Sequence, residues 1–299
     1  MKPVHVALAL LVALVWGVNF VVTAVGLHTL PPLLFLGVRF VLVSILIVVL
    51  RRPAVPWPQL IAISGTLFLV QFGLLFSAMA QGMSPGMASI VLQVQAVFTP
   101  IVAAVVLREK PSARQLAGVA VAVVGLGIVG TTIAGGGITI IGVLLTFAAA
   151  LSWSIGNIQL RAAGPQNMLA MVVWMSVVPP LPLFALSLFL EGNPVQLIHV
   201  IATMGWSGIG AILYSALVST LIGYVGWAYL LKHYSATTVA PFALLVPIFA
   251  AGSASLLLGE QFGEVRLAGM AFVLAGLAVI AVPSRRVAVH PLAPSRQEL

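Results

Sequence analysis

Trp16, Asn19 and Thr23 stand three and four residues apart, and the pairing of a tryptophan with an asparagine returns at Trp153 and Asn157. On a helix that spacing puts the side chains on one face. An indole offers a broad apolar ring with one N–H, and a carboxamide both donates and accepts. The chemistry on offer is recognition of a small molecule with polar and apolar parts. More residues of the same kind follow: Gln71, Ser89 with Gln93 on a shared face, and Tyr214, Tyr224 and Trp227 along one later segment. Bond-breaking chemistry has no comparable set. The chain has no Asp, no HExxH, no GxSxG and no glycine-rich phosphate loop closed by Lys, the arrangements that hydrolysis or phosphoryl transfer would use. His5, His28, His199, His233 and His290 are scattered, with no pair at metal-ligand spacing. No metal and no cofactor are expected.

Hydrophobic residues make up 62% of the 299 positions and charged ones 6%, with a mean hydropathy of +1.21, a balance that the surface of a water-soluble domain cannot carry. The apolar runs are long and unalternating, which selects spanning helices of roughly 20 residues over barrel strands of about 10. Cutting at Pro, Gly and charged clusters predicts ten spans: 4–25, 32–50, 60–79, 85–107, 116–133, 138–160, 168–190, 206–231, 238–258 and 267–282. The first is too long for a signal peptide core, and 195–205 reads as an interfacial lead-in. Lys2, Arg51, Arg52, Arg108, Lys110, Arg114, Arg161, Lys232, Arg285, Arg286 and Arg296 then fall on one side; Arg266 alone occupies a loop on the other, and Arg39 lies inside the second span. By the positive-inside rule both termini are cytoplasmic, and the net charge of +8 is loop charge rather than a nucleic-acid footprint. The absence of cysteine excludes disulfides and identifies no compartment.

Inside such spans every amide and ring has to find a partner. Any single one could be glue between helices or part of an interfacial belt. As a set, Trp16, Asn19, Gln71, Gln93, Trp153, Asn157, Tyr214, Tyr224 and Trp227 point to a cavity of mixed character.

A shift of 151 residues carries Phe98 onto Phe249, Leu107 onto Leu258, Glu109 onto Glu260, Leu116-Ala117-Gly118 onto Leu267-Ala268-Gly269 and Gly125-Leu126 onto Gly276-Leu277. The chain therefore divides into a first repeat, 1–134, a second, 135–284, and a tail, 285–299. Five helices per repeat is an odd number, so the second copy enters the membrane upside down, an arrangement recurrent in carriers with a site between the halves. Glu109 and Glu260 are expected to clamp the joint between the last two helices of each half, and Gly118 and Gly269 to let helices pack closely. Pro247 has Ala96 as its counterpart, with Pro100 a turn later, so a kink in the fourth helix should be displaced from its twin. Arg39 can either snorkel to the outer interface or face the bundle interior and meet a carboxylate; the lack of a matching arginine in the second repeat favours snorkelling.

Trp16-Gly17-Val18-Asn19-Phe20, Pro32 with Arg39-Phe40, and Pro247 leading to Leu258-Gly259-Glu260 resemble the drug/metabolite transporter superfamily over the whole chain. Within it the chain resembles the ten-helix amino-acid and metabolite exporters of the bacterial inner membrane, among them the aromatic amino-acid exporter branch. The resemblance implies an all-α polytopic membrane protein with two inverted five-helix repeats and an export function for a small-molecule substrate. It leaves the oligomeric state open. A proton-driven multidrug exporter of aromatic cations would need an acidic residue in mid-span, and an intramembrane enzyme a catalytic constellation; neither is found.

Overall fold

A chain whose backbone amides cannot reach water has to close its hydrogen bonds within each segment. The structure, a computed structural model that describes residues 1–106, 108, 112–132, 138–164, 166–234 and 236–281, does so with helices and, among the described residues, no strand. The first half supplies α1 (Pro3–Leu27), α2 (Pro32–Val48), α3 (Trp57–Ala80), α4 (Pro85–Val106) and α5 (Ala113–Gly130). The second supplies α6 (Ile140–Ala162), α7 (Met168–Leu190), the short α8 (Pro194–Thr203), α9 (Trp206–His233), α10 (Ala236–Ala243), α11 (Leu245–Leu258) and α12 (Glu264–Ala281). Proline opens α1 to α4 and α8, where its fixed φ suits the first turn and its missing N–H costs nothing. Eight of these helices are long and apolar enough to cross a bilayer; α2, α8 and α11 are shorter apolar helices. Leu11, Ile61, Val105, Leu144, Leu181 and Phe189 point outward and exposed, as side chains facing lipid should.

Packing follows the internal repeat. Helix α1 lies against α9 and α11, and its counterpart α6 lies against α3 and α4, so each half's first helix is inserted into the other half or its boundary; α2 packs on α7, and α5 on α12. The last pair shows the inversion directly. A Cβ on Gly118 would meet the Gly276 carbonyl at 2.7 Å, and one on Gly125 the Gly269 carbonyl at 2.7 Å. Residue numbers rise along α5 as they fall along α12, so the repeat-related helices run antiparallel at backbone contact that no side chain fits. Arginines tie both ends of this pair. Arg114 Nε donates to the Val279 carbonyl at 2.9 Å, and Arg266 Nε and Nη2 donate to Thr132 Oγ1 and its carbonyl at 3.0 Å, each a cation at the carbonyl end of the partner helix.

Irregular turns also repeat. π-helical turns occupy Gly65–Val70 in α3 and Tyr214–Ile222 in α9, and a shift of 151 places the first inside the second. A 3-10 turn at Leu92–Val94 interrupts α4, and Leu244 separates α10 from α11, again in register. The expected displacement of the α4 kink toward Pro100 is thus not found. Pro100 sits inside the α-helical part of α4, and Pro247 lies in the first turn of α11; the breaks fall before both prolines, where each helix passes a central cavity.

Candidate functional site

Trp16, Asn19 and Thr23 leave α1 on the face turned to α9 and α3 because the opposite face, with Leu10, Leu11 and Leu14, is exposed. Their neighbours are set by the π turns. A π turn takes backbone carbonyls out of the i→i−4 ladder and offers them to other groups. The Trp16 indole N–H donates to the Ser219 carbonyl at 3.0 Å, and on the other side Ser152 Oγ of α6 donates to the Thr66 carbonyl at 2.8 Å. The indole of Trp16 also packs edge-on against Tyr224, centroids 5.5 Å apart, and against Trp227 at 5.4 Å. Gly223 leaves room for it, since a Cβ there would collide with the indole nitrogen.

Above this aromatic floor is a cavity of about 190 Å³. Of the residues singled out from sequence, Trp16, Asn19, Gln71, Gln93, Trp153 and Tyr224 line it, with Thr23, Arg39, Ser89 and Gln95 beside them. Trp227 lies behind Trp16. Asn157 and Tyr214 are not among the lining residues: Asn157 Nδ2 donates to the Trp153 carbonyl one turn back, and the Tyr214 hydroxyl donates to the Val15 carbonyl at 3.0 Å. Both act as glue between or within helices. Asn19 is partly engaged, its Oδ1 accepting from Ser215 Oγ at 2.9 Å. Phe72, Phe76, Leu75 and Met79 of α3 complete the apolar wall.

Arg39 overturns the expectation of snorkelling. It is 1% exposed, with Nε and Nη2 donating to Thr220 Oγ1 at 3.1 and 2.8 Å and its guanidinium 4.5 Å from the centre of the Phe72 ring. Thr220 stands in the α9 π turn and donates its hydroxyl hydrogen bond to the Ser215 carbonyl, so its oxygen is free to accept. A cation held on an aromatic face inside the bundle is compensated in part, but no carboxylate reaches it among the described residues.

The carboxylates are elsewhere. Glu260 does not clamp the joint of α11 and α12 as expected; it reaches across to α4, accepting from Ser84 Oγ and, at 3.0 Å, from the Gly86 amide. Gly259, at φ 68°, makes the left-handed turn that ends α11 and sends the chain there. Glu191, passed over in the sequence, does the same for α2: its carboxylate accepts from the Leu33 amide at 2.7 Å, the Leu34 amide at 3.0 Å and Ser187 Oγ at 2.7 Å. It lacks a twin in the repeat, which is the signal that marked Glu260. Glu109 lies outside the described residues. His5 and His233, far apart in sequence, come together with Tyr229 and Tyr234 at one end of α1 and α9, where His5 Nδ1 and the Tyr234 hydroxyl are 2.7 Å apart.

A bundle of apolar helices built as two inverted copies around a polar and aromatic cavity defines a membrane carrier. The chain belongs to the EamA-like transporter family, which it matches over residues 4–131 and again over 140–282. It is 42% identical over 276 residues to a protein of Salmonella typhimurium, and 40% identical over 276 residues to one of Escherichia coli K12, each alignment covering 90% of this chain and 92% of the relative. Both relatives are named "Probable amino-acid metabolite efflux pump". A solved crystal structure at 18% identity superposes with a TM-score of 0.64, covering 93% of this chain and 96% of the other, a likeness of fold.

Proposed function

We propose that this transporter exports small neutral or zwitterionic metabolites, amino acids with apolar or aromatic side chains foremost, across the bacterial inner membrane by alternating access. The observation that carries the reading is the cavity itself: amides, rings and one guanidinium, with no acidic side chain among the described lining residues. The names of the two relatives point the same way. A multidrug exporter of aromatic cations is disfavoured by Arg39, which repels a cation in the place where it would have to bind. In this reading α2 and the combined α10–α11 segment also span, which makes ten, and residues 1–134 and 135–284 rock against each other about the cavity.

Transport is down the substrate's own gradient. Proton coupling generally uses a titratable group at the binding site inside the membrane, whereas, among the described residues, Glu191 and Glu260 are held at helix starts, His5, His28 and His233 lie at helix ends and His199 is exposed on α8. Purified protein in liposomes should move labelled amino acids without an imposed pH difference and without changing lumenal pH. Trp16→Ala or Trp153→Ala should cut the flux by roughly 10-fold or more, since each removes an aromatic wall worth on the order of 1–3 kcal/mol. His199→Ala, on the exposed face of α8, should not. Stoichiometric proton movement with substrate would overturn the facilitator mechanism, and no flux of any amino acid would overturn the substrate class.

A further inference from the structure

Three buried side-chain atoms among the described residues have no hydrogen-bond partner: Thr23 Oγ1, Arg39 Nη1 and Gln71 Oε1. All three residues line the one cavity, and they are 1%, 1% and 2% exposed. Elsewhere the buried polar groups are engaged: Ser64 with the Met175 carbonyl, Thr146 with Gly142, Ser187 with Glu191. A fold that satisfies its polar atoms almost everywhere and leaves a guanidinium N–H, a carboxamide oxygen and a hydroxyl open at one place is prepared for something that supplies the complement.

The open atoms have a definite chemistry. Nη1 is a charged donor whose neighbours Nε and Nη2 are already held by Thr220, so the guanidinium is locked in orientation and one N–H edge is left for an anionic oxygen. Gln71 Oε1 and Thr23 Oγ1 accept, which suits an ammonium. Resting on the exporter reading above, we propose that Arg39 is the carboxylate-binding residue and Gln71 with Thr23 the ammonium-binding pair of a site specific for α-amino monocarboxylates. A second carboxylate would lack a cation, since Arg39 is the only charged side chain among the described lining residues. A side-chain ammonium would lack an acid. Phe72, Phe76, Trp16 and Trp153 are then left to take the apolar side chain.

The test uses unaltered protein first. In proteoliposomes, efflux of labelled phenylalanine is competed with unlabelled phenylalanine, phenylalaninamide, 2-phenylethylamine, N-acetylphenylalanine and aspartate. Loss of either charged pole should weaken inhibition by roughly 100-fold or more, because a buried charged or polar group is then left unpaired, and aspartate should be as weak. Phenylalaninamide competing as well as phenylalanine would overturn the assignment of Arg39, and N-acetylphenylalanine doing so that of Gln71 and Thr23. Quenching of intrinsic tryptophan fluorescence by the same compounds in detergent reads binding without transport. Binding in the predicted order with no flux would keep the poles and remove the exporter reading; no binding by any of them would remove both. Arg39→Gln should bring phenylalanine to the affinity of its amide, and Arg39→Lys should restore part of the difference.

Discussion

A carboxylate that ends one helix and caps another joins two elements through a single side chain. Glu191 covers the free amides at the start of α2 and Glu260 those at the start of α4, and both reach from the second half of the chain to the first. A helix start carries partial positive charge and unpaired N–H groups. Replacing either carboxylate with the neutral amide keeps the shape and loses the charge-assisted bonds, at a cost of about 1–2 kcal/mol. Glu191→Gln and Glu260→Gln should each lower the midpoint of thermal unfolding in detergent by roughly 2–8 °C, with the order of substrate preference unchanged for Glu260→Gln. An unaltered midpoint with lost transport would make the carboxylate a participant in transport instead.

Helices α5 and α12 meet backbone to backbone along Gly118, Gly125, Gly269 and Gly276, because lipid tails supply no hydrophobic force to draw helices together and close packing must do so. On Gly276 a Cβ would stand 2.5 Å from both the Ala122 amide nitrogen and the Gly118 carbonyl, and neither backbone can yield without separating the helices. Gly276→Val should therefore reduce the yield of monodisperse protein by several-fold and lower its unfolding midpoint, the expected result of about 1–3 kcal/mol of overpacking. Gly127→Ala, on α5 of the same pair, meets nothing within 4 Å and serves as the control, with stability equal or slightly higher. Equal behaviour of the two variants in size-exclusion analysis would show that the glycine stripe is not what holds the pair.

Taken whole, the molecule is two inverted copies crossed through each other, α1 leaning on the second half and α6 on the first. Inversion fixes the relation between the halves, and the loop charges predict which side faces the cytoplasm. A reporter fused after Leu299 should be active only in the cytoplasm; periplasmic activity would overturn the topology derived from Lys2, Arg51, Arg52, Arg114, Arg161 and Lys232. The breaks of α4 and α10–α11 and the π turn of α9 border the cavity, and the π turn of α3 ends at Gln71, the first cavity-lining residue of that helix. In the alternating-access reading proposed above, these interruptions are where one half would bend relative to the other without breaking a regular helix.

Bilayer residence, helix class and the two-copy plan are properties of composition and of periodic pattern along the chain, so they were legible in the residues alone: the apolar runs and the Leu-Ala-Gly repeat. So was the set from which the cavity is made, since a bilayer leaves polar residues few places to go. What polar atoms do with one another is a different kind of property. Arg39 and Thr220 are 181 residues apart, Glu260 and Ser84 176, and no local pattern records such pairs. Hence the sequence suggested a snorkelling arginine and a glutamate clamping its own hairpin, while the tertiary structure put the arginine inside, over Phe72, and the glutamate on the opposite half. Asn157 and Tyr214 carry the same functional groups as Gln71 and Tyr224, a carboxamide and a phenol, and only their packing tells glue from lining. The three open atoms of the cavity exist only as a remainder after the other buried side-chain donors and acceptors of the described residues have been matched, a sum over the fold that no stretch of sequence contains.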